Sequence, residues 1–93
     1  MKFVLNLLGG AYFAKGETDA ALRVFQRAVE LYPNFSTSYY NLSCILAAKK
    51  DKEKALEYLK KAISLDRKYK EKARTDKDFN NLRGENEFEE MLK

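Results

Sequence analysis

Large apolar residues recur along this chain at intervals of three and four. Leu5, Leu8 and Tyr12 mark one helical stripe, and Ala21, Leu22, Phe25, Ala28 and Val29 mark a second. Gly16 breaks the pattern between them. Pro33 closes the second stripe, because the residue before a proline is pushed out of helical backbone. Then the pattern restarts. Tyr39, Leu42 and Leu46 form a third stripe, and Ala55, Leu56, Leu59, Ala62 and Ile63 a fourth, with a turn at Lys50-Asp51 between. Side-chain oxygens stand where helix starts leave amides free: Glu17 or Thr18, Ser36 or Ser38, and Asp51.

Shifted by 34 residues, the chain lies on itself without a gap. Leu8 meets Leu42, Ala14 meets Ala48, Lys15 meets Lys49, Ala21 meets Ala55, and Leu22 meets Leu56. Ala28 meets Ala62 and Leu31 meets Leu65. A fixed period of this size marks supersecondary units that bury their faces by stacking. Small residues at Gly9, Ala21, Ser43 and Ala55 let paired helices approach, and Tyr12, Phe25, Leu46 and Leu59 fill the space beside them.

These residues resemble the tetratricopeptide repeat, whose pattern is a large residue, Leu-Gly, Tyr, then Ala with an aromatic four on, and a closing Pro. The first unit reads Leu5, Leu8-Gly9, Tyr12, Ala21, Phe25, Ala28, Pro33, and the second Tyr39, Leu42-Ser43, Leu46, Ala55, Leu59, Ala62. Arg67 stands where the second proline is usual. The resemblance implies an all-α fold, a right-handed superhelical stack of antiparallel helix pairs. It divides one domain of residues 1–93 into repeat one (2–34), repeat two (35–68) and a helical cap (69–93). The cap is expected to continue with Tyr69 and Ala73. Asp76 or Asp78 then opens a short helix holding Phe79 and Leu82, Gly84 breaks it, and Asn86 opens a last helix with Phe88, Met91 and Leu92.

Composition supports helices and narrows the chemistry. Charged residues are 34% and the net charge is +4, but the second half mixes fourteen basic with eleven acidic groups. A mixed-sign surface reads as solvated, not as the clustered basic stripe of a nucleic-acid binder. The lysines at 49, 50, 52 and 54 therefore read as a helix end, a turn and a helix start. No apolar run is long enough to cross a membrane. With no histidine and one cysteine, neither a Cys-His zinc site nor a histidine-based nucleophile system can form. No phosphate-cradling glycine loop is present. The residues call for no enzyme, metal or cofactor, and the lone cysteine suits a cytoplasmic setting.

The function the resemblance implies is protein–protein interaction, with a peptide or amphipathic helix in a concave groove lined by the first helix of each unit. Carried over position by position, the groove residues are Phe3, Asn6, Leu7, Phe13, Tyr40, Asn41, Cys44 and Arg74. Asn41 can hold a peptide backbone because an amide both donates and accepts, and Arg74 can meet a carboxylate. Asn6 and Gly10 occupy places where chaperone-binding members use Lys and Asn, so a carboxylate clamp is incomplete. For Cys44 the plainer reading is a small packed hydrophobe.

The first helix is apolar nearly all round: Phe3, Val4, Leu5, Leu7, Leu8, Tyr12 and Phe13. Such a helix should be buried on every side. A missing neighbour from a longer array, self-association into a homo-oligomer, a partner's apolar face, or a signal peptide would each account for it.

Overall fold

A computed structural model describes residues 1–93, and every ordered element in it is helical. Repeat one is α1 (Lys2–Ala14) and α2 (Thr18–Leu31), and repeat two is α3 (Ser36–Ala48) and α4 (Lys52–Leu65). The tail carries α5 (Lys68–Thr75), a 3-10 segment (Lys77–Leu82) and α6 (Asn86–Met91). Short connections fold each helix back on the one before. The two turns inside the repeats are equivalent: Gly16 has φ +82° and Lys50, one period later, has φ +66°. Left-handed backbone is natural for Gly16 and costs Lys50 strain at its Cβ.

Close approach within each pair also recurs at equivalent positions. A Cβ on Gly9 would lie 2.6 Å from the Phe25 ring, so only glycine lets α2 come this near α1. In repeat two, Ser43 takes that place, and its hydroxyl donates to the Ala55 carbonyl of α4 at 2.7 Å. Between the pairs, Leu42 and Ile45 of α3 are fully buried against Ala21 and Phe25 of α2. The tail lies on the other side. Tyr69, Ala73, Phe79, Leu82, Phe88 and Leu92 are all buried in one cluster with Leu59 and Ala62 of α4. Arg83 holds the tail's bends together: it donates to the Asp76 carbonyl at 2.8 Å and lies over the Phe88 ring.

Several expected caps take other partners. Asp51 accepts from the Lys54 amide and Asp76 from the Asp78 amide, as their positions imply. Glu17, however, precedes α2 without a cap bond and pairs with Lys15, while the Thr18 hydroxyl donates to the Gly16 carbonyl. Phe35, not a serine, precedes α3, and the buried Ser38 hydroxyl donates to Asn6 across the helices at 2.8 Å. Asn86 is the first residue inside α6 and caps nothing; Gly84 (φ +91°) makes the bend, its amide donating to Glu89. In two of the three cases the hydroxyl or carboxylate serves a different partner. The lysines of the second turn likewise tie elements together: Lys49 reaches Asp19 of α2, and Lys52 reaches Glu85 ahead of α6.

Candidate functional site

A cavity of about 170 Å³ opens where α1, α3, α5 and the 3-10 segment converge. Gly10 and Phe13 come from α1, Asn41 and Cys44 from α3, Lys72 from α5, and Asp76 and Asp78 from the 3-10 segment and its start. Phe25 of α2 and Tyr40 of α3 complete its lining. Phe13 is half-buried and packs against the apolar clusters of both repeats. Gly10 has nothing within 4 Å of where its Cβ would stand, so the α1 side of the cavity is open.

The expected groove residues fall into three groups. Phe13, Tyr40, Asn41 and Cys44 meet at this cavity. Phe3 and Leu7 lie further along α1 and are 64% and 74% exposed. Phe3 packs edge-on against Phe35 with ring centres 5.4 Å apart. Asn6 is committed within the fold through its bond from Ser38. Arg74 does not line the cavity; it donates to Glu71 on its own helix and to the Leu92 carbonyl.

Four residues separate α2 from α3, but only two, Asp66 and Arg67, separate α4 from α5, so the tail helix starts two residues ahead of the 34-residue period. Lys72, not Arg74, is the α5 residue that lines the cavity.

Two of the four residues at the cavity are sealed there. Tyr40 is 2% exposed, stacks on Tyr69 at 4.6 Å, and donates its hydroxyl to Asp76 at 2.6 Å. Burial, reinforced by the bond to Asp76, holds that phenol well above the ordinary tyrosine range. Cys44 is 4% exposed, and burial, with the charges of Asp76 and Asp78, holds its thiol far above the usual range. A thiol kept protonated is a poor nucleophile and a poor metal ligand. Burial and the neighbouring Asp76 also raise the Asp78 carboxyl. Donor atoms of Cys44, Asp76 and Asp78 lie within 4.8 Å of one another. Both carboxylate oxygens of Asp76 are already engaged, by the Tyr40 hydroxyl and the Asp78 amide. The trio therefore reads as the seam that fastens the tail to α3.

Asn41 differs from its neighbours. It is half-buried at the cavity, and its amide, which takes part in none of the side-chain hydrogen bonds, stays open to solvent. Lys72 stands beside it on the rim, over the Tyr40 ring at 5.4 Å. The cavity thus presents an apolar wall, one free amide, one ammonium and two carboxyls, of which Asp76 is already engaged. It contains no activated nucleophile and no general base poised against one.

Residues 4–68 match the tetratricopeptide repeat family. The chain is also 34% identical over 74 residues to Uncharacterized protein ycf37 of Pyropia yezoensis. That match covers 80% of this chain but 41% of the relative, so the chain spans less than half of that protein's length. No helix is long and apolar enough to cross a membrane.

Proposed function

This chain belongs to the tetratricopeptide repeat family, whose repeats mediate protein–protein interaction, and we propose that it is a non-enzymatic module that holds a peptide segment at the α1–α3–α5 cavity. The observation that carries this is the unengaged Asn41 amide beside the apolar wall of Phe13. An amide free at a concave, half-dry surface can pair with both groups of a peptide backbone. A cavity of about 170 Å³ has room for one apolar side chain of that peptide against Phe13. Lys72 favours an acidic residue or a carboxylate next to it, and Asp78 sets a second charge preference nearby. Tyr40 and Cys44 shape the floor without touching the ligand.

Panning a random peptide library on the intact chain tests this. Selected peptides should pair an apolar residue with a flanking acid. Asn41→Ala and Phe13→Ala should each weaken them about five- to thirtyfold, since a lost buried hydrogen bond or anchor is worth roughly 1–2 kcal/mol. Binding unchanged in both variants would refute the assignment.

A further inference from the structure

Lys72 and Asp76 stand four residues apart, a spacing at which a lysine and an acid on one helix pair. Both line the α1–α3–α5 cavity. Yet neither enters any ion pair of the molecule. The other acid of α5, Glu71, is taken by Arg74. The Lys72 ammonium is therefore left unneutralised beside a carboxylate that could reach it.

Tyr40 keeps the two apart from beneath the cavity. Its hydroxyl donates to one carboxylate oxygen of Asp76 at 2.6 Å, and the Asp78 amide donates to the other at 3.0 Å. Helix α5 has ended by then: Asp76 has extended backbone (φ −76°, ψ 121°), which breaks the alignment a continuous helix would give it with Lys72. The face of the same ring holds the other partner, with the Lys72 ammonium 5.4 Å from its centre. The ring has no room to shift. It is buried, stacked on Tyr69 at 4.6 Å and edge-on to Phe79 at 5.5 Å. One neutral side chain thus holds an anion by its hydroxyl and a cation by its face. The repeat does not require a tyrosine here: Asn6, its equivalent in repeat one, has neither ring nor hydroxyl and serves Ser38 instead.

We infer that Tyr40 sets the charge specificity of the cavity: by engaging Asp76 it leaves the Lys72 ammonium available to an acidic side chain of the bound peptide. This rests on the peptide-binding reading above and deepens it. Tyr40 is a positioning residue, acting through Lys72 and Asp76 without touching the peptide. Apolar contact comes from Phe13 and does not depend on it.

Two blocked tetrapeptides, acetyl-Ala-Leu-Asp-Ala-amide and its Asn counterpart, test this by NMR titration of the intact chain, read at the Asn41 side-chain amide. The wild type should bind the acidic form about two- to fivefold more tightly, the worth of one solvent-accessible ion pair. Tyr40→Phe keeps the stacked ring and removes only the hydroxyl. Asp76 then turns to Lys72, and the two peptides should bind alike. Combining Tyr40→Phe with Asp76→Asn should bring the acid preference back, because no carboxylate at that position remains to capture the ammonium. A tail merely loosened by Tyr40→Phe would not be rescued this way, since Asp76→Asn does not restore the lost hydroxyl. A preference unchanged in Tyr40→Phe, or lost and not rescued, overturns the inference. A second readout needs no peptide: an NMR contact between the Lys72 ammonium and the Asp76 carboxylate should be absent in the wild type and present in Tyr40→Phe. Its absence from the variant overturns the role of Tyr40 even if peptides bind. Peptides that never move Asn41 overturn the binding reading, and the ammonium–carboxylate contact then decides separately whether Tyr40 keeps the charges apart.

Discussion

Helices α1 and α3 are the same length, thirteen residues, and lie one period apart, yet α1 buries one residue and α3 buries nine. The greasier helix is the exposed one. α1 spells KFVLNLLGGAYFA with a single charge, whereas α3 carries Ser36, Thr37, Ser38, Asn41 and Ser43. Burial here follows neighbours more than composition. α3 has α1 and α2 on one side and α4 with the 3-10 segment on the other. α1 has α2 behind it and little beyond α3 on the rest. A solenoid stabilises each helix through its contacts with the next, so the same sequence pattern is worth more in the middle of the stack than at its edge.

Equivalent substitutions in the two helices measure that difference. Leu42→Ala, at a fully buried site, should cost about 2–5 kcal/mol in denaturant unfolding. Leu8→Ala, the same place in repeat one, should cost under about 1 kcal/mol in the monomer, because 43% of that residue is already exposed. Equal losses would break the comparison and mean that α1 is covered in solution.

The close-approach positions sharpen it next. Gly9→Ala should destabilise by about 1–3 kcal/mol, since its new Cβ would meet the Phe25 ring in a filled core. The neighbouring Gly10→Ala should instead stabilise by about 0.5–1 kcal/mol, because that Cβ meets nothing and alanine prefers helix. The pair is read in one thermal melt series, and opposite signs are the outcome that supports the packing.

The turn positions give the smallest effect. Lys50→Gly should raise stability by up to about 1 kcal/mol by relieving left-handed backbone, while Gly16→Ala should lower it by a similar amount. A neutral Lys50→Gly would show that the lysine's strain is offset by what glycine costs in chain entropy.

The repeats, their helices, both intra-repeat turns and the close-approach role of small residues at Gly9 and Ser43 were legible in the residues, because each depends on contacts close in sequence; the partners, the Phe25 ring and the Ala55 carbonyl, came from the structure. The candidate site was legible only in part. Phe13 and Asn41, two of the groove positions the family resemblance implies, line the cavity. Tyr40 and Cys44 also line the cavity, but their exposure was decided by Asp76, Asp78 and Phe79, some 32 to 39 residues away in a tail that does not repeat. Ser38 carries the composition of a cap and spends its hydroxyl across a helix interface. A cap or groove role read from one helix cannot register such a competing partner.

What the sequence settled by itself was periodic: a helical stack of two like pairs and a family, written in spacing that any segment of the chain displays. What only the tertiary structure decided was which faces stay open. Lys72 rather than Arg74 reached the cavity, the tail closed over Tyr40 and Cys44, and Val4, Leu7 and Leu8 of α1 stayed exposed. Local pattern fixes a helix and its stripe, but a surface exists only where no other part of the chain arrives to cover it.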